Sequence, residues 1–131
     1  LMVVDLNHYI KLYGIYDLIL VVDKNGKLVS NNSLDVRGAM VNDEKLKTLN
    51  FSKMAWFNRA LSGDFTEDAA NGYHGTYVES FEKFEVFEQA FGEKKYGSIF
   101  STQVKNDQGE VIGVLANFAG SRWFEKQTWV W

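Results

Sequence analysis

The chain has 131 residues, 46% of them hydrophobic and 15% aromatic, with a formal net charge of −3, no cysteine and no proline. That composition is too apolar for a disordered chain and fits one globular domain. It excludes disulfides, thiolate catalysis and cysteine-ligated zinc or iron–sulfur sites, and without a basic stripe it argues against nucleic acid as a partner.

In chain order, Leu1 to Tyr13 reads as a helix, because Val3, Leu6, Ile10 and Tyr13 recur at 3-4-3 spacing. That stripe serves either to pack on the chain's own sheet or as the seam of a homodimer. Ile15 to Val22 is a strand rich in β-branched and aromatic residues. The turn Asp23-Lys24-Asn25-Gly26 returns it into Lys27 to Ser30, making a hairpin. The polar stretch from Asn31 to Asn50 holds a short helix over Asp43 to Leu49, with Asn42 as its N-cap. A second helix is expected over Phe51 to Leu61, capped by Ser52 and ended by Gly63, with Met54, Phe57, Ala60 and Leu61 on one face.

Asp64 to Gly75 is a loop rich in Gly, Asn and Asp, followed by a strand over Thr76 to Phe81 and a helical stretch over Phe84 to Phe91 that Gly92 closes. Tyr96 to Val104 alternates as a strand. Asn106-Asp107-Gln108-Gly109 turns it into an apolar strand, Glu110 to Phe118, and Arg122 to Trp131 is a final helix or tail. The two turns echo one another, so a hairpin sits at each end of the chain with helices between. The expected fold is α/β: a single PAS-like domain with a central antiparallel sheet, a long N-terminal helix and a helix-loop layer. The longest apolar run, Ile19 to Val22, is strand-sized and far short of the roughly 18–20 residues that cross a bilayer.

The residues offer little assembled chemistry. The two histidines, His8 and His74, stand far apart, and no G-x-S-x-G elbow is present. Glu79, Glu82, Glu85 and Glu88 read as a solvated face, and Gly72, Gly75 and Gly92 lack the spacing of a phosphate loop. Asp17, near the start of an apolar strand, reads as a surface cap. No enzyme activity, metal or cofactor is expected.

Several segments, in this order, carry a resemblance: Tyr16 to Val29, Phe51-Ser52, Trp56 to Gly63 (WFNRALSG), Gly97 to Val104 and Gly109 to Phe118 (GEVIGVLANF among them). Together they resemble the Cache sensor domains of bacterial methyl-accepting chemotaxis receptors and sensor kinases, over nearly the whole chain. The resemblance implies that residues 1–131 are an extracytoplasmic (periplasmic) sensing domain cut from a longer membrane-anchored receptor. It also implies a small-molecule pocket between the sheet and the helix-loop layer, and a cytoplasmic signalling output. Met54 stands where many amino-acid-binding Cache domains carry Arg, and Phe57 where Tyr is usual. A carboxylate clamp would then fall to Lys53, a poorer fork than Arg.

Nine residues are candidates for the pocket. The resemblance makes Trp56 its wall; Phe57, about 100° away on the helix, is either pocket or core. Tyr73, His74 and Tyr77 flank a Gly-rich stretch and are either a lid or a plain surface loop. Phe100 and Thr102 share one strand face, and Asn117 interrupts an apolar strand, where its amide needs a ligand or a backbone partner. The expected ligand is a small polar metabolite such as an organic anion. The alternatives are a ligand-free dimerisation module built on Leu1 to Tyr13 and a PAS-type haem or flavin sensor.

Overall fold

The computed structural model describes residues 16–35, 37–67, 70 and 75–120. The helix expected over Leu1 to Tyr13, the segment from Arg122 to Trp131, and Tyr73 and His74 lie outside the described residues.

Both hairpins form. β1 (Leu18–Asp23) pairs antiparallel with β2 (Leu28–Asn31). The Asp23 carboxylate oxygen accepts the backbone N–H groups of Asn25 and Lys27, each at 2.9 Å, which fixes the reversal. Gly26 closes the turn at φ +87°, and a Cβ there would sit 2.7 Å from the backbone nitrogen of Ser52. Glycine is required here both for its left-handed backbone and for the room it leaves.

The chain next makes α1 (Asp43–Lys47), a 3₁₀ turn (Phe51–Lys53), α2 (Ala55–Ser62), β3 (Tyr77–Lys83) and α3 (Glu85–Phe91), then β4 (Tyr96–Lys105) and β5 (Val111–Gly120). Asn106 repeats the role of Asp23 between β4 and β5: its side-chain oxygen accepts the N–H groups of Gln108 and Glu110 at 3.0 and 2.9 Å. Asn42 caps α1 as expected, accepting from the Lys45 N–H.

The second helix differs from expectation. Met54 is extended (φ −87°, ψ 131°), so the 3₁₀ turn and α2 are separate and Ser52 caps nothing in α2. The Asn58 side-chain amide donates to the Ser52 carbonyl at 2.9 Å and pins the break.

The described sheet has five antiparallel strands in the order β2-β1-β5-β4-β3. Leu18, Phe118 and Ile99 lie side by side across β1, β5 and β4, all fully buried. With Leu20, Val22, Val114 and Ala116 they form the sheet's half of the core. Leu46 from α1, Phe57 and Ala60 from α2, and Val86, Phe87 and Ala90 from α3 supply the other half. These three helices therefore cover one face of an antiparallel sheet. None of the described helices is long and apolar enough to cross a membrane.

Two polar residues are buried, Asp17, which the sequence suggested at the surface, and Asn32. Asp17 accepts the Gly120 N–H at 3.3 Å, and its own N–H donates to the Phe118 carbonyl at 2.8 Å. Asn32 lies where β2 stops short. Its side chain accepts from the Ile19 N–H at 2.8 Å and donates to the carbonyls of Asp17 and Leu34 at 3.1 and 2.9 Å. The amide does a missing strand's bonding, so it is buried at little cost.

Phe118→Ala should lower unfolding stability by about 3–5 kcal/mol in urea titrations, because it removes a fully buried ring. Val29→Ala, on the exposed side of β2, should change it by less than about 0.5 kcal/mol. Equal losses from the two variants would place the core elsewhere.

Candidate ligand-binding site

α2 and α3 each begin after an extended residue, Met54 and Phe84, and neither of these supplies a side-chain cap. The first N–H groups of a helix have no partner within it. Both N-terminal turns border one cleft of about 250 Å³, together with the far half of β3. Met54, Ala55 and Trp56 bound it on the α2 side, Glu79 and Glu82 on β3, and Glu85 and Val86 on α3.

A register irregularity between Glu79 and Glu82 shapes the cleft. In a regular strand, residues three apart point to opposite faces. Here Glu79 lies opposite Ile99 and Glu82 opposite Gly97, two positions on the same side of β4, so both carboxylates serve one face. Lys83 follows on the other side. It lies opposite Tyr96, and its ammonium stands 4.8 Å from that ring's centroid.

Trp56 is 4% exposed. It meets Phe51, Phe57 and Phe118 edge-on at 6.1, 6.3 and 5.6 Å. Close by on β3, Tyr77 is buried beneath the Arg59 guanidinium, 5.5 Å above its ring. Burial raises the Tyr77 hydroxyl above its usual pKa of 10.0. The neighbouring Glu79 carboxylate, which accepts its hydrogen bond, raises it further, against a smaller pull from Arg59.

The structure splits the residues expected at one pocket between the two sides of the sheet. Trp56, Phe57 and Tyr77 lie on the helix-covered side. Trp56 borders the cleft, whereas Phe57 is packed in the core at 1% exposure. Lys53 is exposed on the 3₁₀ turn and is not among the residues that line the cleft. Phe100, Thr102 and Asn117 are together, but on the opposite face, around a second hollow of about 210 Å³ that Tyr16, Thr76 and Leu115 also line. There Phe100 meets Tyr16 edge-on at 6.2 Å, and the Thr102 hydroxyl donates to the Gly75 carbonyl at 2.6 Å. The period-two pattern correctly groups Phe100 with Thr102, but it cannot say which face the helices cover. The cleft residues that sequence reasoning missed are Met54, Phe84 and the three glutamates. Their signal is faint, since only the bulge and the two helix starts bring them together.

A raised tyrosine pKa has a stability consequence with a definite sign. The folded state keeps the Tyr77 proton more tightly than the unfolded chain, so this contribution is intact below about pH 10 and is lost as pH rises through the folded value. Urea midpoints measured from pH 8 to 11 should fall less steeply for Tyr77→Phe than for the parent chain. Parallel profiles would mean that the hydroxyl titrates alike in both states.

No family model matches this chain, and no curated protein matches it either.

Proposed function

We propose that the chain is a PAS-like, Cache-type sensing domain of a membrane-anchored receptor. It binds a small polar metabolite in the cleft beside Trp56, with the domain held outside the cytoplasmic membrane. The observation that carries this reading is the cleft itself. It lies between the sheet and the helix layer, at the first turn of the Trp56 helix, which is where the resemblance puts a ligand. The order β2-β1-β5-β4-β3, with the helices inserted between β2 and β3, is compatible with a PAS-like sheet.

The cleft's size favours a metabolite over haem or flavin. About 250 Å³ lies below the roughly 300–1,000 Å³ of pockets that enclose drug-sized ligands. Nothing around it forms a nucleophile–base pair, so binding without turnover is the simplest use of the site.

A route from binding to output is available. The first turn of α3 borders the cleft, and one residue on, Phe87 packs against the backbone of Gly120. Gly120 is in turn hydrogen-bonded to Asp17, so the start of β1 and the end of β5 are neighbours. A ligand that prefers one setting of α3 over another would change the geometry at that junction, and only such a preference transmits a signal.

The test is a thermal-shift and calorimetric screen of the purified chain against organic acids, amines, amino acids, sugars and nucleosides. A true ligand at one hundred times its Kd adds about 2.7 kcal/mol. For a chain of this size that should raise Tm by several degrees. Trp56→Phe keeps a ring in the core but removes the indole N–H, and it should weaken binding. A panel that leaves Tm unchanged throughout would overturn the reading.

A further inference from the structure

Two triplets in the chain match the acceptor pattern for N-linked sugars, Asn31-Asn32-Ser33 and Asn50-Phe51-Ser52. Their surroundings in the fold are unlike. We infer that Asn50 is an N-glycosylation site and that Asn31 is not. This rests on the domain being held outside the cytoplasmic membrane, where such acceptors are met.

In the transfer, the Asn side-chain nitrogen attacks the anomeric carbon of an oligosaccharide carried on a polyprenyl diphosphate. A nitrogen–carbon bond forms and the bond from that carbon to the phosphate oxygen breaks. The diphosphate leaves with its electron pair, and the nitrogen gives up one of its two protons. An acceptor must therefore reach solvent, and its fold must spare one N–H. Asn31 meets neither condition. It ends β2 and is half-buried. Its Nδ2 donates to the Asn32 carbonyl at 2.9 Å and to the Asp43 carboxylate at 2.5 Å, so both protons are in use. A sugar there would cost one of these bonds and would have to fit between β2 and the first residue of α1.

Asn50 meets both. It is exposed, and its backbone is extended (φ −95°, ψ 91°) just ahead of the 3₁₀ turn, which its side chain does not cap. The Ser52 hydroxyl donates to its Oδ1 at 2.5 Å. That bond uses the oxygen of the amide and none of its protons. A sugar on the nitrogen leaves the oxygen able to accept as before, so the turn keeps the bond. Neither Asn50 nor Ser52 is among the residues that line the cleft beside Trp56, so a sugar chain here is compatible with a ligand there.

The experiment directs the full chain through the secretory pathway of yeast behind a cleavable leader. The secreted protein is weighed before and after peptide-N-glycosidase treatment, and the occupied asparagine is found by peptide mapping. The parent chain is set beside Asn50→Gln, Ser52→Ala, Ser52→Thr and Ser33→Ala. Ser33, Asn50 and Ser52 are exposed, so these variants should fold as the parent does. The parent should carry one sugar chain, on Asn50. Asn50→Gln and Ser52→Ala should lose it altogether. Ser52→Thr keeps the pattern and should keep the sugar. Ser33→Ala removes the first triplet while leaving Asn31 in place, and it should carry the same single chain as the parent. Parent or Ser33→Ala protein secreted without sugar on Asn50, or secreted protein with sugar on Asn31, would overturn the assignment. Either result leaves the sensing reading in place, since that reading stands or falls on the ligand screen.

Discussion

The ring of Phe118 is the contact on which the rest of the structure depends. It is fully buried near the end of the central strand, and three rings reach it edge-on: Trp56 at 5.6 Å, Phe84 at 5.9 Å and Phe87 at 6.4 Å. Trp56 belongs to α2, while Phe84 and Phe87 belong to the start of α3. The described helices have only 5, 8 and 7 residues, too few to persist alone in water. α2 and α3 hold because their aromatic sides dock on Phe118 of β5, and α1 because Leu46 is buried in the same core. Each edge-on pair adds about 0.5–1.5 kcal/mol beyond simple burial, and together they fix where two helix starts sit relative to one another. The cleft is the gap left between those starts and the irregular half of β3, so one strand residue fixes two of its three sides.

The same arrangement explains how carboxylates come to border a cleft floored by apolar rings. Alone, Glu79, Glu82 and Glu85 would repel one another. The open N-termini of α2 and α3 lend positive ends on the same side, which softens that cost without removing it. Tyr77 shares in this balance, since its hydroxyl gives Glu79 a donor while Arg59 covers its ring. Helix dipoles, one phenol and one guanidinium stand in for buried countercharges.

What the sequence made legible was local. Asp23 and Asn106, each three residues before a left-handed glycine, spell out both hairpin turns, and the side-chain oxygens bond as such residues must. Gly63 and Gly92 end their helices at positive φ, and Asn42 caps α1. What stayed hidden depends on partners distant in the chain. Met54 breaks the second helix because Asn58 reaches back to Ser52, a bond that no propensity announces. Asn32 looks like loop and is core, because a short β2 leaves Ile19 and Asp17 needing its amide. The candidate site was half visible. Trp56 was placed at the cleft, but Phe100, Thr102 and Asn117 belong to the other side of the sheet, since alternation tells residues apart without naming the covered face.

The hydrogen-bonded corner of Asp17 and Gly120 has a mechanical meaning. β1 begins and β5 ends at that corner, so the ladder from Leu18–Phe118 to Asp23–Gly113 hangs from one end. Tension that parts the two strands there would open the ladder like a zipper, one rung after another. It would not load all the rungs together, as a pull along opposed ends does. A zipper yields to small forces, and it yields first at the rung next to Phe118. Traction on the backbone at this corner would therefore be felt at the aromatic cluster before it reached anything else in the fold.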